Sequence, residues 1–220
     1  MAWAGRGTCP GSQADLVGHA RSRPVRLSRR SRRLQRSTHR RRHRRDPRCG
    51  GTERAIIGGL SLGGYMSLAF ARAHPKRVRA LLIIDTGPGF KKDDAREAWN
   101  ARALATADKF DREGLDVLKA ATRERATASH RDARGLALAA RGMLTQRDAK
   151  VIELLPEIKV PSLIVVGADD TPFLAASDYM AAKIPGAQKV VIPAAGHAVN
   201  IDQPQAFVDA VLPFLKNLPE

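Results

Sequence analysis

The stretch AIIGGLSLGGYMSLAFARAHP, residues 55–75, passes from strand to helix through a turn too sharp for ordinary side chains. Residues 55–58 form a short apolar run of the kind a buried strand carries. Residues 63–74 place apolar side chains at helical spacing and stop before Pro75, which predicts a helix. Between them stands Gly59-Leu60-Ser61-Leu62-Gly63, a G-x-S-x-G. A turn this tight strains its middle residue, and the neighbours must lack side chains for strand and helix to close on each other. Gly59, Gly63 and Gly64 are expected to meet that need. Such a turn lifts the Ser61 hydroxyl above the sheet edge with a helix N-terminus behind it. A nucleophile there is accessible and an anion is stabilised. The bland alternative is a Gly-rich strand-to-helix turn without chemistry.

The 220-residue chain is long enough for one sizeable core. Its net charge of +16 is unevenly spread. Residues 1–54 hold 16 Arg, no Lys and 3 acids, hence +13, whereas residues 55–220 hold 22 basic and 19 acidic groups, hence +3. The high charge therefore describes the first quarter, and the remainder has the balance of an ordinary globular domain. Cys9 and Cys49 make no disulfide framework, so a reducing, cytoplasmic setting is expected. No apolar run is long enough to span a bilayer, and no secretory apolar segment follows Met1. The cysteines flank the Arg tract without ligand spacing and the histidines are scattered, so neither a metal nor a cofactor is implied.

Further along, residues 78–84 (VRALLII) read as a second buried strand ending at Asp85 and the turn Thr86-Gly87-Pro88-Gly89. Residues 91–159 alternate Ala, Leu and charge and read as helical, with breaks suggested at His130 and Gly135. Pro161 introduces the strand 162–166, which ends in Gly167-Ala168-Asp169-Asp170. A helix over about 174–184, a strand over 189–192 ending at Pro193-Ala194-Ala195-Gly196-His197, and a helix over 204–215 follow. Strands alternating with helices imply an α/β fold, a mostly parallel sheet with helices on both faces. The helical insert between the second and third strands would lie over the carboxyl ends of the strands, where ligands bind in such sheets.

Ser61, Asp170 and His197 each follow a strand end, and the ends of parallel strands share one edge. A serine hydroxyl is a weak nucleophile until a base takes its proton. Imidazole titrates near neutrality, and a carboxylate fixes its tautomer and stabilises the imidazolium. Asp169 and Asp170 compete for the carboxylate role. Asp85 also ends a strand and is an alternative source of the carboxylate, but it is expected to bond backbone amides of its own Gly-Pro-Gly turn. His74, at a helix C-terminus, suits dipole capping, and His130 reads as a surface residue of the insert.

Gly59–Gly63, Gly167-x-x-Asp170 and Ala195-Gly196-His197, in that order and spacing, resemble the α/β-hydrolase superfamily, in the subgroup holding esterases, lactonases, carbon–carbon bond hydrolases and cofactor-free haloperoxidases. The resemblance covers roughly residue 51 to the C-terminus. It implies Ser61 as nucleophile, His197 as base and Asp170 as acid, the family's acid standing three residues after the strand-ending glycine. It implies that the Leu62 backbone N–H is one oxyanion-hole donor and that residues 91–159 form the helical cap. A serine hydrolase acting on a small ester, lactone or related acyl substrate is the activity implied. The cap's only large aromatics are Trp99 and Phe110, so the pocket beneath it is expected to be mostly apolar.

The first quarter departs from this pattern. Residues 14–22, ADLVGHARS, resemble the family's P-D-x-x-G-x-G-x-S at about the usual distance before Ser61, with Ala where a Gly is typical. Residues 23–50, rich in Arg, take the place of a helix, cannot bury enough surface to order themselves, and read as an out-of-frame translation. One choice of codons for residues 39–50, read one base later, gives the amphipathic TADDIAAILDAV. The family's earlier strands and its His-Gly loop, source of a second oxyanion donor, have no counterpart. The strand at 55–58 is then expected to be an exposed sheet edge, with activity impaired. Three readings compete: a hydrolase fold without chemistry, a basic arm for nucleic acid or anionic surfaces, and an Arg- and Ser-rich, acid-poor transit peptide. The arm lacks stacking aromatics, so nucleic acid is not an expected partner, and neither is a membrane.

Overall fold

The computed structural model describes residues 53–120 and 129–219. The Arg-rich segment, the fragment at 14–22 and the frame of residues 23–50 lie outside the described residues. Residues from Arg54 onward form one compact unit. Its frame is a four-stranded sheet in the order β1 (Ala55–Leu60), β2 (Val78–Ile84), β3 (Ser162–Gly167), β4 (Gln188–Ile192), with every pairing parallel. Parallel pairing requires crossovers. The first is α1 (Leu62–Ala73), and α5 (Thr171–Lys183) links β3 to β4. The inserted segment between β2 and β3 contains α2 (Asp93–Glu113), α3 (Ala133–Ala139) and α4 (Lys150–Leu154). Two C-terminal helices, α6 (Val199–Asp202) and α7 (Pro204–Lys216), follow β4. Among the described residues no helix is long and apolar enough to cross a membrane.

Side chains alternate across a strand, so β2 and β3 supply two cores at once. Leu81, Ile83 and Ile164 pack with Leu68 of α1 and with Met180 and Ile184 at the end of α5. Leu82, Ile84, Leu163 and Val165 pack with Val199, Phe207, Val211 and Phe214 on the opposite face. A third, smaller cluster of Ala107, Phe110, Ala137 and Ala140 joins α2 to α3 inside the inserted segment.

The expected strands and helices appear with modest shifts. β1 runs on to Leu60, and α5 starts at Thr171, ahead of the expected residue 174. The insert differs from a run of amphipathic helix. Gly114, with φ 66°, ends α2. Gly135 is no break: it lies in the first turn of α3, where its N–H donates to the capping carboxylate of Asp132 at 2.7 Å. His130 is exposed in a non-helical stretch. Residues 145–149 form a loop tied to α2, with the Asn100 side chain donating to the Gln146 carbonyl at 2.8 Å and accepting from its N–H at 2.7 Å.

Candidate functional site

β1, β3 and β4 all end at the same edge of the sheet, and each end is followed by one chemically active side chain. Ser61 sits between β1 and α1 with φ 55° and ψ −118°, a conformation that costs a non-glycine residue about 1–3 kcal/mol. Its N–H still donates to the Ile84 carbonyl at 2.8 Å, so the strain is held by sheet pairing. A Cβ on Gly59 would lie 2.6 Å from the Gly63 carbonyl carbon, and one on Gly64 would lie 2.6 Å from the Thr86 methyl. These two glycines let strand and helix close. Gly63 differs from expectation, because a Cβ there would meet nothing within 4 Å. The contact at 59–63 needs a bare Cα at residue 59 alone.

The structure brings Ser61, His197 and Asp170 together. His197 Nδ1 lies 2.8 Å from Asp170 Oδ2, and His197 Nε2 lies 2.8 Å from Ser61 Oγ. A carboxylate only accepts, so Nδ1–H donates to Asp170 and the serine hydroxyl donates to Nε2. Asp170 is buried at the head of α5, yet its side chain does not cap that helix. Asp169 is exposed, and its backbone N–H donates to the Ala195 carbonyl at 2.9 Å. Phe173, one turn into α5, stacks on the imidazole with centroids 5.1 Å apart. Leu62 opens α1 directly after Ser61, and first-turn amides have no intrahelical acceptor. His74 lies away from this group, exposed at the C-terminal end of α1 with its ring against Phe70.

Asp85 departs from the expected role. Its carboxylate does not bond its own Gly-Pro-Gly turn. Oδ1 accepts from the Gly167 N–H at 2.8 Å, and Oδ2 accepts from the Val199 N–H at 3.3 Å. One buried side chain thus ties the end of β3 to the segment just after His197. Burial pushes its pKa up to about 7, against the pull of the two amides; the charge of Asp170 adds to the rise and His197 opposes it. The two loops also meet directly, since a Cβ on Gly167 would lie 2.3 Å from the carbonyl oxygens of Ala195 and Gly196. Asp85 belongs to the site's support, and no local motif signals it.

A cavity of about 270 Å³ opens beside Ser61. Phe90, Trp99, Leu144 and Phe173 give it apolar walls, and Tyr65 and Gln146 add polar groups. Burial, with the nearby Asp148 carboxylate adding, holds the Tyr65 phenol above its ordinary pKa, so it lines the cavity as a neutral hydroxyl. The wall supplied by the inserted segment is anchored where the Trp99 indole N–H donates to the Leu144 carbonyl at 2.8 Å. Among the described residues, no group of three or more His, Cys, Asp and Glu side chains is gathered as metal ligands would be.

The sequence model of the alpha/beta hydrolase family matches residues 5–210, reaching into the Arg-rich quarter where the motif resemblance thins out. A putative 2-succinyl-6-hydroxy-2,4-cyclohexadiene-1-carboxylate synthase of Bacillus subtilis (strain 168) is 29% identical over 178 residues, covering 73% of this chain and 65% of that protein. A pimeloyl-(acyl-carrier protein) methyl ester esterase of Chromobacterium violaceum is 30% identical over 184 residues, covering 74% of this chain and 70% of that protein. Among solved structures, a thermophilic esterase from Thermogutta terrifontis superposes with a TM-score of 0.62 at 29% identity, covering 76% of this chain and 66% of that one. The chain thus spans about two thirds of the length of these relatives.

Proposed function

We propose that this chain, which belongs to the alpha/beta hydrolase family, hydrolyses a small ester, lactone or related acyl compound through Ser61, His197 and Asp170. The observation that carries this reading is the unbroken line of two 2.8 Å contacts from the Asp170 carboxylate through the imidazole to the Ser61 hydroxyl, beside an open cavity. The names of the relatives, an esterase among them, agree with it.

In this reading His197 Nε2 takes the Ser61 proton as Oγ bonds to the acyl carbon and the carbonyl π-pair moves onto oxygen. The Leu62 N–H, backed by the α1 dipole, stabilises that oxyanion. The oxyanion collapses, the bond to the alcohol oxygen breaks, and that oxygen leaves with the proton from Nε2. Water then attacks the acyl-serine, giving its proton to Nε2. Expulsion of Oγ, which recovers that proton, releases the acid. Asp170 holds Nδ1–H throughout and offsets the imidazolium charge. Phe173 limits rotation of the ring.

Labelling with a fluorophosphonate probe tests the reading, since only an activated serine reacts. The expected result is one adduct, on Ser61, absent from Ser61→Ala and strongly reduced in His197→Ala. A folded chain whose Ser61 stays unlabelled overturns it and favours a hydrolase fold without chemistry.

A further inference from the structure

We infer that the substrate carries an anionic group, a carboxylate in the simplest case, at the end remote from the scissile bond, and that Arg102 binds it. The inference rests on the hydrolase reading of the same cavity and names the class of compound that fits it.

Fifteen of the described residues line the cavity beside Ser61, and Arg102 is the one charged residue among them. It stands on α2 three residues after Trp99, so the two share a helix face. That face is held in place. The Trp99 indole bonds the Leu144 carbonyl, and Asn100 makes two further bonds to the backbone of Gln146. Arg102 is thus carried on a pinned segment of the cap.

Two other arginines of the same segment are occupied. Arg96 pairs with Asp93, and Arg141 bridges Asp108 and Asp111 at 2.6 and 2.7 Å. Arg102 is exposed and no carboxylate among the described residues lies within ion-pair distance of it. An apolar cavity with one unpaired guanidinium in its wall favours a compound with an apolar middle and a charged end. The planar fork of guanidinium matches a carboxylate with two parallel hydrogen bonds. A neutral ester of the same length would fill the apolar part and leave this cation to water.

The test compares kcat/KM for monomethyl adipate and methyl hexanoate, which differ only in the terminal carboxylate. The intact chain is expected to favour monomethyl adipate by roughly tenfold or more. Arg102→Ala should bring the ratio near one, Arg102→Lys should keep part of it, and added salt should shrink it. A ratio of one or less in the intact chain, or a ratio unchanged in Arg102→Ala, overturns the inference. If neither ester is turned over and Ser61 resists the probe, the hydrolase reading fails separately. Calorimetric binding of the same two esters then decides. Tighter binding of monomethyl adipate that Arg102→Ala removes supports the inference, and equal binding overturns it.

Discussion

The serine and the carboxylate follow strands of unequal protection. β3, which leads to the carboxylate, is buried along its whole length, whereas three of the six residues of β1 are exposed, Ile56 at 40%. β3 has a strand on each side, and β1, among the described residues, pairs on one side only. The loops after β3 and β4 are also locked to each other by Asp85 and by the close approach at Gly167. Among the described residues, nothing comparable braces the turn at Ser61 beyond its bond to Ile84 and the closely packed glycines. Carboxylate and imidazole are set by an interlocked frame, and the Ser61 hydroxyl is presented to them from a strand of lower local stability.

The largest effect that probes this contrast is chemical. Asp170→Asn keeps the shape of the frame but removes the acceptor that fixes the imidazole tautomer. A fall in kcat of about 10⁴ is expected, with the melting temperature little changed. If kcat stays within tenfold, the stacking of Phe173 alone orients the ring, and the carboxylate side is not the frame.

A matched pair of truncations measures the contrast in stability. Ile164 on β3 is fully buried, so Ile164→Ala is expected to lower unfolding free energy by about 2–5 kcal/mol. Ile56→Ala on β1 should lower it by less than about 1 kcal/mol. Equal losses in denaturant titrations would mean that β1 is covered in solution as fully as β3, and the contrast would dissolve.

The same contrast decides what could be read from the residues. VRALLII and SLIVV announce buried strands because both faces of β2 and β3 are covered, leaving no polar alternation to interpret. The order Ser61, Asp170, His197 was legible because each residue follows an apolar run, and parallel strands bring such ends to one edge. The cap was not. Its Ala- and charge-rich composition suits helix almost throughout, and the ends that matter depend on single residues such as Gly114 at a positive φ. Asp85 was misread because its partners lie 82 and 114 residues away, while its own glycine turn offered nearer amides. Arg102 looked like any of the chain's many arginines until the cavity singled it out.

The smallest effect isolates the brace itself. Asp85→Asn retains one acceptor, able to meet the Gly167 N–H, and turns an amide donor toward the Val199 N–H. Losing that one hydrogen bond is worth about 1 kcal/mol, or about fivefold in kcat above pH 8 through displacement of the segment after His197. The pH dependence of stability distinguishes this brace from mere packing. A carboxyl that titrates at about 7 when folded and near 3.8 when unfolded binds more protons in the folded chain between those values. Its contribution therefore weakens stability as pH rises from about 4 to about 7 and is level above that. Asparagine does not titrate, so Asp85→Asn should show a flatter profile of unfolding midpoint across that window. A variant whose profile runs parallel to the parent's would mean that Asp85 is already ionised at pH 4. The frame on the β3 side would then carry a permanent buried charge, and its rigidity would come from the approach at Gly167 rather than from the carboxyl group.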